Sequence, residues 1–89
     1  MSEPFWQQIV NDVRQRIASG EWPPGHKLPS TRALVAQYRA QLEGGESIAP
    51  STVRQAISIL IALGELRGQQ GLGVFVAYPP SAQSAVTDP

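Results

Sequence analysis

Pro50-Ser51-Thr52-Val53-Arg54-Gln55-Ala56-Ile57 opens a stretch that runs through Gly64 to Gly71-Leu72-Gly73-Val74-Phe75-Val76, and the change of period along it decides the fold. Pro50 suits the first turn of a helix, where its missing N–H costs nothing. Val53, Ala56, Ile57, Leu60 and Leu63 then recur at helical spacing as one apolar stripe, and Gly64 is a natural stop, so the pattern predicts a helix over 50–63. After Gly64 the period shortens. Leu66-Arg67 and Val74–Ala77 read as two strands flanking a glycine-rich tip at 68–73, with β-branched and aromatic residues favouring the second. A helix feeding a short hairpin implies a mainly α domain with a small β element.

Upstream, Trp6, Ile9, Val10, Val13 and Ile17 form a second helical stripe between Pro4 and Gly20, predicting a helix over 4–19. Gln7, Asn11, Asp12, Arg14, Gln15 and Arg16 occupy its other side and read as a solvated face. Residues 20–29 hold too many helix breakers to be anything but a turn-rich connector, in which Lys27 and Leu28 offer a short strand. Ser30 is placed to cap a helix over 30–42 carrying Ala33, Leu34, Ala36 or Gln37, and Tyr38. Glu43-Gly44-Gly45-Glu46-Ser47 is a loop. From Tyr78 the chain turns to proline and small polar residues that cannot bury enough apolar area to fold alone, so 1–77 is the expected domain and 78–89 a disordered tail or linker.

Eighty-nine residues make one domain, small enough that a partner subunit would help its stability. The absence of cysteine excludes disulfides and thiolate chemistry and fits an intracellular protein. The N-terminus lacks a signal-peptide pattern, and no apolar run approaches the ~20 residues that span a bilayer. His26 stands in a loop without a second histidine or a carboxylate pair, so neither a metal nor a catalytic centre is expected, and no cofactor. Seven basic side chains balance seven acidic ones, so a nucleic-acid partner would require a local basic surface.

Helix, loop, helix, loop, helix, hairpin is the order of a winged helix-turn-helix, and three strings sharpen it. They are Pro4-Phe5-Trp6-Gln7-Gln8-Ile9, Pro24-Gly25-His26-Lys27-Leu28-Pro29-Ser30-Thr31-Arg32, and Ser51-Thr52-Val53-Arg54-Gln55-Ala56 with Gly71 to Val76. Over residues 4–77 the chain resembles the N-terminal DNA-binding domain of GntR-type transcriptional regulators, with its PLYxQI, PGxxLPSxR, STVRxA and GxGTFV strings. The resemblance implies three helices with a two- or three-stranded antiparallel sheet. It also implies a third helix entering the major groove of double-stranded DNA, a second buttressing it, and the wing reaching the minor groove. On that pattern Arg32, Ser51, Thr52, Arg54 and Gln55 form the contact set. Arg54 suits a guanine, Gln55 an adenine, and Ser51 and Thr52 phosphates or bases. Lys27 and Arg67 are phosphate candidates, and Ser30, Thr31, Gln69, Gln70 and Gly71 complete the candidate surface.

Each residue also has a plainer reading. Ser51 and Thr52 could satisfy free amides in the first turn of the third helix, Arg32 and Arg54 could be solvated charges, and Gln69 and Gln70 ordinary turn residues. Gly71 and Gly73 lack the third glycine and following helix of a dinucleotide site; they suit a hairpin turn with positive backbone angles.

The chain also departs from the family pattern. Tyr38 through Ala49 replaces a short turn resembling LGVS, which predicts a longer second helix and a Gly44-Gly45 loop returning to Ile48; Glu43 and Glu46 argue that this insertion points away from DNA. Ala49 and Pro50 stand where a serine cap and an arginine are common, and Gln69 and Gln70 where the wing is often basic. Members normally carry a further effector-binding, dimerising domain. Two alternatives stand: a chain cut from a longer regulator, or one that works without that domain. No effector is expected to bind within these residues. Ile59 and Ile61 widen the apolar arc of the third helix, which either serves self-association or is covered by the insertion.

The expected function is sequence-specific repression of transcription by a cytoplasmic homodimer, with no enzymatic activity and no membrane partner. A module that binds protein in a replication or partition assembly is the alternative. The expected core is Trp6, Ile9, Val13, Ile17, Leu34, Val53, Ile57, Leu60 and Phe75.

Overall fold

A computed structural model describes residues 3–78. Three helices, α1 (Phe5–Ala18), α2 (Thr31–Gln41) and α3 (Pro50–Ala62), precede a hairpin of β1 (Leu66–Gln69) and β2 (Gly73–Val76). The order is that of a winged helix, and all three helices lie within a residue or so of the ranges that apolar period and capping predict. Residues 79–89 of the expected tail lie outside the described residues.

Local chemistry sets the helix ends. Ser30 Oγ accepts a hydrogen bond from the Ala33 N–H at 3.2 Å, satisfying one of the free amides that open α2. Pro50 takes the first turn of α3. At its other end Gly64 adopts φ +82°, which lets its N–H reach Ile61 O and the Glu65 N–H reach Leu60 O, closing the helix with a left-handed cap. That cap turns the chain directly into β1.

α3 lies at the centre, packed against α1, α2 and β1. Ile9, Val13, Tyr38, Ile48, Val53, Leu60 and Val76 are all but fully buried. Trp6 and Ile17, expected inside, are half-buried against the core, while Ala33 and Ala36 of the anticipated α2 stripe are exposed and Val35 takes the inward place. Phe75 also departs from expectation. Leu66 pairs with Val76 and both are buried, so the pleat turns the intervening Arg67–Phe75 pair to the outer face.

The connector contributes more than turns. Gly25 and Leu28 donate to Val76 O and Val74 O, Val76 donates to His26 O, and Lys27 bridges Phe75, which adds a one-residue third strand along β2. This pairing turns Leu28 inward, and Trp22 is buried with it.

α1 and α2 are joined by a polar clamp where a solvated face was expected. Asp12 pairs with Arg16 at 2.8 Å and accepts from the Tyr38 hydroxyl at 2.8 Å and from Gln41 Nε2 at 3.2 Å. Arg16 also pairs with Glu21 at 2.7 Å and lies over the Trp22 ring, which in turn stacks on His26. Burial pushes the Tyr38 hydroxyl well above its ordinary range, and its hydrogen bond to Asp12 adds to that.

The insertion folds back on α2. After Gln41 the chain leaves the helix at Leu42, turns at Gly44, forms a 3₁₀ turn at Gly45–Ser47 and buries Ile48. Gly45 lies so close to the last turn of α2 that a Cβ there would stand 2.7 Å from Tyr38 O. A Cβ on Gly44 would lie 3.8 Å from the Phe5 ring, so the insertion also adjoins the start of α1. It therefore packs on α2 and α1. Ile59 is half-buried against the core, and Ile61 remains 40% exposed beside Gly68 of β1.

Candidate nucleic-acid interface

Two hollows meet on the face formed by the start of α2, the start of α3 and the hairpin. The first, about 530 Å³, lies between α2, α3 and the wing and is lined by Lys27, Ser30, Thr31, Arg54, Ser58 and Gly73 among others. The second, about 510 Å³, lies between α2 and α3 and is lined by Thr31, Arg32, Val35, Arg39, Pro50 and Arg54 among others. Thr31 and Arg54 border both, so Arg54 stands at the middle of the surface.

The helical period of α3 explains that placement. Val53, Ala56, Ile57 and Leu60 face the core, which leaves Ser51, Arg54, Gln55 and Ser58 as one exposed ridge on the opposite side. Neither Ser51 nor Thr52 caps the helix: Ala49 is its N-cap and makes no side-chain cap bond. Among the described residues the two hydroxyls take no part in a side-chain hydrogen bond, which removes the plainer reading of them as satisfying the first turn of α3. Ser30 does act as a cap, for α2, and borders the first hollow as it does so.

The wing holds the remaining expected residues. Lys27, Phe75 and Arg67 are successive cross-strand neighbours on the outer face of the sheet. The Lys27 side chain runs toward the hairpin tip, where a Cβ on Gly73 would lie 3.0 Å from its Cε. Gln69 pairs with Gly73, and Gln70 and Gly71 form the turn, closed by the Leu72 N–H on Gln69 O. Gly71 and Gly73 both have positive φ, +79° and +124°, as the hairpin reading requires. Thus Lys27, Ser30, Thr31, Arg32 and Arg54 converge at the hollows. Ser51 and Gln55 lie along the α3 ridge with the half-buried Thr52 on its flank, and Arg67, Gln69, Gln70 and Gly71 stand on the hairpin.

Charge is segregated although it cancels overall. Among the described residues the ion pairs are Arg14 with Glu65 at 2.6 Å and Arg16 with Asp12 and Glu21, all on the α1 side. Lys27, Arg32, Arg39, Arg54 and Arg67 have no ion pair among the described residues, and no acidic side chain borders either hollow. Such an arrangement leaves unneutralised positive charge on one face, where a polyanion would find it.

Two side chains at the hollows were passed over by sequence reading. Ser58 follows Arg54 by one helical turn, a spacing that could have disclosed it. Arg39 belongs to the insertion, and no local pattern places it beside Arg32 and Arg54.

Residues 5–76 match the model of the family described as bacterial regulatory proteins, gntR family. The histidine utilization repressor of Pseudomonas aeruginosa is 34% identical over 83 residues, which cover 93% of this chain and 30% of that protein. The HTH-type transcriptional repressor NagR of Bacillus subtilis is 35% identical over 81 residues, covering 91% of this chain and 30% of that one. The chain thus spans less than a third of the length of these relatives. Among solved structures, AraR(DBD) in complex with operator ORR3 superposes with a TM-score of 0.74 at 28% identity, covering 86% of this chain and 83% of that one.

Proposed function

Since the chain belongs to the gntR family of bacterial regulatory proteins, we propose that it binds double-stranded DNA sequence-specifically and regulates transcription as a repressor. The observation that carries this reading is the placement of charge: five basic side chains without ion pairs among the described residues gather around α2, α3 and the hairpin, and no acidic side chain lines either hollow. The likeness to a domain solved with operator DNA supports the same reading, as do relatives named as repressors. These relatives lend no support to a replication or partition module.

In this mechanism the exposed ridge of α3 enters the major groove. Arg54 gives a guanine two parallel hydrogen bonds, Gln55 reads an adenine, and the hydroxyls of Ser51 and Thr52 reach phosphates or bases. Ser30, Thr31 and Arg32 hold the backbone at the start of α2. Lys27 and Arg67 hold phosphates on either side of β2, and Gln69, Gln70 and Gly71 carry the wing to the minor groove. The regulator acts in the cytoplasm as a homodimer on two half-sites.

The test is an electrophoretic shift with mixed-sequence duplex at low salt, followed by enrichment of a preferred site. A retarded complex that enriches one sequence and dissociates as salt rises is expected. Failure to retard any duplex, or binding indifferent to salt, overturns the proposal.

A further inference from the structure

Resting on the reading of this face as a DNA interface, we propose that Arg39 is an additional backbone contact that holds a phosphate beside the start of α3, and that the inserted segment serves to present it. The second hollow is bordered by three arginines, Arg32, Arg39 and Arg54, without an acidic side chain. Guanidinium groups gathered in this way repel one another until an anion enters, and phosphate suits their forked donors.

Arg39 is also held in place. Its Nε donates to Ile48 O at 2.9 Å, while Nη1 and Nη2 have no partner among the described residues. One donor of the guanidinium is spent on fixing it and the others stay free, so little side-chain freedom remains to be lost on binding. The insertion supplies that fixture. Gly45 seats against the backbone of residues 38 and 39, where a Cβ would lie 3.1 Å from Arg39 O, and the chain then delivers the Ile48 carbonyl to Nε. Pro50 borders the same hollow with a side chain that carries no donor, so Arg39 supplies from α2 the cation that α3 lacks there. The tether to Ile48 keeps the guanidinium beside the DNA backbone and short of the base edges, so its contribution is independent of sequence.

The experiment measures fluorescence anisotropy of a labelled mixed-sequence duplex, and of the enriched site, with the full chain over a range of salt. Arg39→Ala should weaken both duplexes by a common factor and reduce the slope of log affinity against log salt by about 1. Arg39→Lys keeps the charge and loses the Nε donor, so it should retain the wild-type slope while binding both duplexes more weakly than the wild type. If Arg39→Ala leaves the slope unchanged, Arg39 holds no phosphate and the proposal fails. If Arg39→Lys binds both duplexes as tightly as the wild type, the contact with Ile48 does not present the cation and the proposal fails equally. Should thermal melting show Arg39→Ala unfolded, the affinity of the Lys variant for the two duplexes decides alone. A wild-type chain that binds no duplex overturns the DNA reading itself, an outcome distinct from any of these.

Discussion

At Arg54 and Lys27 the same positive charge meets two different tasks. Arg54 stands on the exposed ridge of α3 and borders both hollows, whereas Lys27 precedes α2 and lies along the outer face of the hairpin. Arg54→Ala should therefore cost about 1 to 3 kcal/mol on the enriched site and blur preference at one base pair. Lys27→Ala should weaken all duplexes alike. Titrating both variants against single-base variants of the site checks this, and a uniform loss for Arg54→Ala would remove it from sequence reading. Gly45 poses a question of space. The atom its Cβ would meet, at 2.7 Å, is the carbonyl oxygen of Tyr38, part of a helix backbone that cannot step aside. Gly45→Ala should destabilise the fold by about 1 to 3 kcal/mol in urea unfolding. An unchanged midpoint would mean that the insertion does not seat on α2.

Between elements, the clamp of Asp12, Arg16 and Tyr38 holds α1 to α2 and so sets the platform behind the interface. Tyr38→Phe removes one hydrogen bond to a carboxylate that keeps Arg16 and Gln41, a loss of about 1 to 2 kcal/mol. Asp12→Ala leaves the buried Tyr38 hydroxyl without its acceptor and Arg16 without one of its two carboxylates, and should cost more in the same unfolding measurement. The clamp also has a pH signature. Burial first, and the bond to Asp12 second, raise the Tyr38 hydroxyl in the folded chain above its unfolded value of about 10. The neutral form is thus favoured by folding, so its contribution is complete below pH of about 10 and declines as pH climbs toward the raised folded value. Wild-type stability should fall on that side, and Tyr38→Phe should flatten the fall. Equal slopes for the two proteins would show that Tyr38 stays accessible to water.

For the molecule as a whole, zero net charge conceals a polar distribution. Acids of the α1 side neutralise Arg14 and Arg16, while the cations around α2, α3 and the hairpin have no ion pair among the described residues. With about three to five phosphates held per subunit, log affinity should fall against log salt with a slope of about −2.7 to −4.5 per subunit. Anisotropy titrations at several salt concentrations measure this directly. A slope near zero would mean that the segregated charge does not meet DNA phosphates.

Much of this was legible along the chain. The stripes of Ile9 and Val13 and of Val53 and Leu60, the Ser30 cap, Pro50, Gly64 and the glycines of the hairpin are local signals, because each reports on its own few residues and its own backbone angles. They determined three helices and a wing, and with the family strings they identified Arg54 and Lys27 as candidates. What tertiary structure alone decided depends on which surfaces meet. Leu28 and Trp22 enter the core because the connector pairs with β2, and Phe75 leaves it because the pairing of Leu66 with Val76 sets the pleat. Asp12 and Arg16 turn from surface charges into a clamp because Tyr38 arrives from another helix. Arg39 joins Arg32 and Arg54 because a chain reversal at Gly44 and Gly45 brings Ile48 back to its guanidinium. Periodicity says which way a side chain faces on its own element; only the packing of that element against the others says what it faces.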